Sequence, residues 1–181
     1  MTTTPRSRAT GVQIDVIERL PSHPDASSLL EAFYQEQLKR YGFADPIAMS
    51  PPDYAVPNGV FVVAYLGSLP VGCGGYRWFD RLAHAIEIKK VYVDPAARGR
   101  GAGRAVMTWL ERHAATAGAR QVLLETGVRN TAAMRLFASA GYQSTAGYVE
   151  DRDPAINRAF AKTLHGVAQV PAVGASQASA R

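Results

Sequence analysis

The sequence predicts one mixed α/β domain: a mostly antiparallel central sheet of about seven strands, with one parallel pair and helices on both faces. Two observations carry this. Up to residue 94 the apolar runs are separated by short turns, which joins neighbouring strands as antiparallel hairpins. Beyond it, the order strand, helix, strand over residues 91–124 requires a crossover, and a crossover brings the chain back parallel. A length of 181 residues suits one domain with a full core, and 47% apolar with 19% charged residues is a globular composition.

A first strand is expected over residues 12–19. A helix follows over residues 24–40, with Pro24 as an early helical residue and Leu30, Phe33, Tyr34, Gln37, Leu38 and Tyr41 at helical spacing. Residues 42–58 hold four prolines and read as a long loop with one helical turn; loops of that length are usually functional. Residues 59–66, 70–79 and 83–94 read as strands, turning at Gly67-Ser68 and near Asp80. A helix over 104–118 buries Val106, Leu110, Ala114 and Ala117 and stops at Gly118. After a short strand at 121–126, a helix over 130–140 turns Ala133, Leu136, Phe137 and Ala140 inward and is capped by Gly141. A final hairpin, 142–149 and 157–164, completes the sheet. The folded domain is expected over residues 12–166, between a disordered leader (1–11) and a small, polar, aperiodic tail (167–181) that reads as disordered.

No window approaches the ~18–20 uninterrupted apolar residues of a membrane span, so no membrane association is expected. A single cysteine, Cys73, excludes an internal disulfide framework and fits a reducing, cytoplasmic setting. It lies in an apolar run without a neighbouring histidine and reads as a small buried thiol. The net charge of +5 is spread along the chain, apart from Arg98, Arg100 and Arg104. That local cluster suits a small polyanion and not a nucleic acid.

The cluster belongs to Arg98-Gly99-Arg100-Gly101-Ala102-Gly103, which follows the apolar run Val91-Tyr92-Val93 and leads into a helix. A strand, a glycine-rich turn with arginines and a helix start together bind phosphorylated ligands. Unpaired N–H groups and the positive end of the helix dipole meet the anion, and glycine lets it approach the chain.

Residues 86–142 resemble one family, the GNAT N-acetyltransferases. RGRGAG is similar to the family's pyrophosphate loop, a Gln or Arg followed by x-x-G-x-G/A. Residues 87–95 (EIKKVYVDP) resemble the strand that enters it. Asn130-x-x-Ala133-x-x-Leu136-Phe137-x-x-x-Gly141-Tyr142 resembles the second signature, N-x-x-A-x-x-L-Y-x-x-x-G-F. The resemblance implies the acyl-CoA N-acyltransferase fold, in which the parallel strands splay and the pantetheine arm of acetyl-CoA lies in the opening. It implies main-chain contacts from Val91 and Val93 to that arm, the amides of Arg98, Gly99, Arg100, Gly101, Ala102 and Gly103 on the pyrophosphate, charge from Arg98 and Arg104, and a hydrogen bond from Asn130. Asn130 also suits a helix N-cap. No metal is implied. Homodimers through sheet edges or the last hairpin occur in the family.

Acetyl transfer to a primary amine, on a small molecule or a protein, passes through a tetrahedral intermediate. An alkylamine with pKa near ~10 must first lose a proton to a base. Two carboxylates resemble known bases: Glu87, as in histone-acetylating members, and Glu125, as in ribosomal-protein-acetylating members. Strand alternation puts Glu87 on the face opposite Ile86 and Ile88, and Glu87 is favoured. The family's usual tyrosine acid is Phe137 here, so transfer without a side-chain acid is expected, with Tyr142, Tyr148 or a water as substitutes. Phe137 also leaves open a non-catalytic acyl-CoA sensor. The resemblance draws the acceptor site from the first helix, the following loop and the last hairpin, offering Tyr34, Tyr41, Asp45, Asp53, Tyr54, Tyr148 and Glu150, a set suited to a cationic amine.

Overall fold

Apolar side chains on both faces of the inner strands require a helix layer on each side. In the computed structural model, which describes residues 13–47, 49–150 and 152–164, the chain runs β1 (Ile14–Glu18), α1 (Pro24–Tyr41), a 3-10 turn (Pro51–Tyr54), β2 (Gly59–Leu66), β3 (Leu69–Asp80), β4 (Ala85–Val93), α2 (Ala102–Thr116), β5 (Gln121–Gly127), α3 (Thr131–Ser139), β6 (Gln143–Thr145) and β7 (Asn157–Thr163). The expected leader and tail lie outside the described residues. The sheet order is β1-β2-β3-β4-β5-β7-β6. Every neighbouring pair is antiparallel except β4–β5, as the crossover requires.

Alternation divides the core. Val60, Val62, Ile86, Ile88, Val122 and Leu124 pack with Val106, Met107 and Leu110 of α2. Phe61, Val63, Tyr65, Cys73 and Tyr92 pack with Ala26, Leu29 and Leu30 of α1. Each large side chain buried in this way contributes about 1.5–3 kcal/mol. Burial pushes the Cys73 thiol up to about 12, which keeps it un-ionised and inert. Among the described residues, no helix is long and apolar enough to cross a membrane.

Three expectations need correction. Ala117, expected to be buried, is the exposed C-cap of α2, and the buried stripe of the helix includes Met107 beside Val106, Leu110 and Ala114. That helix also begins at Ala102, so the end of the glycine-rich turn forms its first turn. The last hairpin is short on one side: β6 ends at Thr145, where the strand was expected to reach 149. Ala146-Gly147 does not continue a strand pattern, and the chain instead loops back over the open end of β5 before β7.

Candidate active site

The site originates in a bend of β4. β4 and β5 pair only from Ala85↔Gln121 to Ile88↔Leu124. Beyond that, the β3–β4 register shifts, and Lys90 takes a left-handed φ of 58°. A bulge of this kind bends a strand and re-aims its side chains. β4 therefore leaves β5 while keeping its pairing to β3, and a wedge opens between the two parallel strands. Asp94 N–H donates to Val71 O on the β3 side. The two-residue alternation then turns the main-chain groups of Val91 and Val93 toward the wedge.

At one end the wedge meets the N-terminus of α2. Gly99 (φ 78°) and Gly101 (φ 91°) take left-handed conformations, and Gly101 is the N-cap, with no side-chain cap bond. The first amides of α2 thus remain free for an anion. A cleft of about 290 Å3 lies here, bounded by Val91, Val93, Arg98, Gly101, Gly103 and Asn130. A Cβ on Gly103 would come within 3.0 Å of Leu136, so glycine lets α3 close against the turn. Arg98 spans the cleft, donating from Nε to Val93 O at 3.0 Å and pairing with Glu36 of α1. Asn130 accepts from Ala133 N–H as the α3 N-cap, which leaves its NH2 for a ligand. Arg104 borders the cleft, whereas exposed Arg100 is outside it. A diphosphate with a narrow, partly apolar arm fits this donor set.

At the other end a pocket of about 100 Å3 shares Phe33, Val91, Asn130 and Ala133 with the cleft. Both candidate glutamates line it. Glu87 is the one buried charged residue among those described, at 2% exposure. Both its oxygens are engaged: Arg77 donates twice (3.2 and 3.1 Å), Lys89 once (3.0 Å) and the Tyr148 hydroxyl once (3.2 Å). Glu125 accepts no hydrogen bond among the described residues, and its nearest cation, Arg152 Nε, lies 3.9 Å away. Burial raises the pKa of Glu125, Arg152 opposes the rise, and the charge of Glu87 adds to it. Arg152 reaches in from the loop before β7 and holds Asp45 with two bonds of 3.2 and 2.9 Å. Those bonds keep the Asp45 pKa low despite its burial.

Gln37 Oε1 and Tyr41 OH, both on this wall, are buried without a partner among the described residues. Gly127 makes room for the tyrosine: a Cβ there would lie 2.2 Å from Tyr41 Oη. Of the expected acceptor residues, Tyr41 and Asp45 line the pocket, and Tyr148 reaches it through Glu87. Asp53, Glu150 and Tyr34 do not line it; α1 instead presents Phe33, Gln37 and Tyr41, and Tyr34 points about 100° away from Phe33. Tyr54 is a core residue, edge-on to Phe61, its phenol pushed up to about 12 by burial. Tyr142 is not brought to the site. It packs in the α2-side core beside Glu111, under the ammonium of Lys162, and burial raises its pKa far above the usual value. Gln37, polar within an apolar helix stripe, was the available sequence signal. Arg152 had none, because only the returning loop places it.

Among the described residues, no cluster of His, Cys, Asp and Glu is arranged to hold a metal ion. The fold is that of the acyl-CoA N-acyltransferases, and the comparisons give the family. Residues 30–142 match the acetyltransferase (GNAT) family model, and the chain belongs to that family. An IAA acetyltransferase from Azospirillum brasilense is 35% identical over 88 residues, a stretch covering 49% of this chain and 57% of that protein. The match thus spans little more than half of that relative. Among solved structures, a Klebsiella pneumoniae protein assigned to the acyl-CoA N-acyltransferases has a TM-score of 0.70 at 23% identity, covering 85% of this chain and 99% of its own. A Salmonella typhimurium protein solved with its cofactor acetyl-CoA has a TM-score of 0.62 at 20% identity, covering 84% and 96%. At such identities these two structures speak for the fold.

Proposed function

We propose that the protein transfers an acetyl group from acetyl-CoA to a primary amine, with Glu125 as the base. One observation carries the reading: the cleft at the free amides of α2 adjoins, through shared wall residues, a pocket holding a half-buried carboxylate that accepts no hydrogen bond among the described residues. Acetyl-CoA would supply the activated acetyl group. The amides of the glycine-rich turn and Arg98 would hold its diphosphate, and the main chain of Val91 and Val93 its arm. The Val91 N–H faces the wedge and can donate to oxygen as negative charge gathers there.

A base needs an open lone pair toward the amine and an affinity for its proton. Glu87 has both oxygens engaged by two cations and a phenol, which leaves neither open toward an amine. Glu125 has an open carboxylate and a raised pKa, and therefore replaces Glu87 as the preferred base. No side chain is assigned as the acid. Phe137 has no proton to give. Tyr148 is held far above its usual pKa by burial and then by Glu87, so it donates a hydrogen bond without releasing a proton. A thiol of pKa ~8.5 can leave as thiolate unaided.

The test is thiol release from acetyl-CoA with a broad amine panel. Release should depend on the amine and fall at least a hundredfold in Glu125→Gln, a loss typical of removing a general base (~10²–10⁴). Undiminished release in that variant would remove the assignment. Acetyl-CoA binding without amine-dependent release would favour the sensor reading, which Phe137 supports.

A further inference from the structure

Apart from Glu125, the carboxylates in and beside the pocket, which from the sequence alone suit a cationic amine, are already paired. Arg77 and Lys89 take Glu87, Arg152 takes Asp45, and Arg40 and Arg98 share Glu36. Lys90 is the exception among the pocket's cations. It is half-buried, and its Nζ bonds a neutral main-chain oxygen, Pro46 O at 3.0 Å, with no ion pair among the described residues. It sits 5.9 Å from the Phe33 ring centroid. Its own backbone occupies the left-handed region at the bulge of β4, a conformation that costs about 1–2 kcal/mol for a residue with a Cβ. Strained residues of this kind cluster where ligands are held.

A second positive group on the acceptor would meet Lys90, Lys89 and Arg152 with no carboxylate left to answer it. A negative group would compensate Lys90. The Asp45–Arg152 pair also bridges the loop after α1 and the loop before β7 at the wall of the small pocket. A pocket of about 100 Å3 with that bridge in its wall suits a small molecule better than a peptide chain.

Resting on the transfer reading above, we infer that the acceptor is a small amine bearing a carboxylate, its nitrogen at Glu125 and its carboxylate at Lys90. Arg152 and Asp45 shape the space between the two ends. Gln37 Oε1 and Tyr41 OH, both without a partner among the described residues, offer further hydrogen bonds to the same ligand.

The experiment uses matched pairs, such as β-alanine with ethylamine, γ-aminobutyrate with propylamine, and α-amino acids with their decarboxylated amines. Each is assayed by thiol release with acetyl-CoA, and by calorimetric binding to the CoA-bound protein. We expect at least one carboxylate member to exceed its partner tenfold or more in kcat/KM or affinity. Lys90→Met should shrink that ratio about tenfold, and Lys90→Arg should preserve it. The thermal shift with acetyl-CoA reports whether each variant still folds and binds. Ratios near one in every pair by both readouts overturn the inference, as does a ratio unchanged in Lys90→Met. Selective binding of the carboxylate member without any thiol release upholds the recognition and refutes the transfer.

Discussion

Replacing Glu87 by glutamine should cost stability, whereas replacing Glu125 should cost rate. The Glu87 side chain is 3% exposed and accepts four hydrogen bonds, three of them from cations. Removing one member of a fully buried ion pair costs ~3–5 kcal/mol, because the other charge is stranded. Here the stranded partners reach solvent: Arg77 is 42% exposed and Lys89 29%. Discounting for that screening leaves about 2 kcal/mol. For a domain of this size that is a fall in Tm of roughly 4–8 °C. The assay is thermal and urea unfolding at pH 7 without ligand, alongside thiol-release kinetics below Tm. Glu87→Gln should lose stability and keep the larger share of turnover, and Glu125→Gln should do the reverse. The reasoning fails if Glu87→Gln melts within about 1 °C of the wild type, or if it matches Glu125→Gln in lost turnover while fully folded.

Three further outcomes are expected. Because burial raises the Glu125 pKa, the folded state binds that proton more tightly than the unfolded state, so its contribution to stability falls as pH rises from the unfolded to the folded pKa. Glu125→Gln should accordingly melt above the wild type at pH 7, with the difference closing below about pH 4; differential scanning calorimetry against pH checks it, and a lower Tm at pH 7 contradicts it. Gly127→Ala sets a Cβ 2.2 Å from Tyr41 Oη and 2.5 Å from its Cζ, so Tyr41 must shift at about 1–3 kcal/mol; steady-state kinetics should give a higher KM for the amine, and calorimetry an unchanged Kd for acetyl-CoA. If Arg98 holds the diphosphate as proposed, Arg98→Ala would remove a charge-assisted bond of ~1.5–3 kcal/mol, so the acetyl-CoA Kd should rise roughly ten- to a hundredfold in calorimetry, and more weakly at high salt; an unchanged Kd would take Arg98 out of the diphosphate site.

Local rules were enough wherever neighbours in sequence are neighbours in space. Strand alternation placed Glu87 opposite Ile86 and Ile88, and the glycine-rich turn led into a helix as expected. Asn130 capped α3 from its position alone. Local rules misplaced what depends on helical phase or on distant partners. Tyr34 and Tyr41 share one helix, but only Tyr41 faces the pocket. Tyr142 and Tyr148 lie on one segment, yet Tyr142 enters the α2-side core while Tyr148 returns to Glu87. The preference between the two glutamates depended on Arg77, Lys89, Tyr148 and Arg152, whose approach no spacing in the chain encodes.

By itself the sequence determined the family, the layered fold, the crossover that makes β4 and β5 parallel, and the turn suited to a diphosphate. These follow from period, turn chemistry and a signature contiguous in the chain. Only the tertiary structure decided which carboxylate stays open and which cation has no ion pair among the described residues, and that Asp45 and Arg152 bridge two loops at the wall of the small pocket. The physical reason is that charge and burial are properties of a place. Three elements far apart in the chain, α1, the bulged end of β4 and the loop before β7, create that place only when they meet.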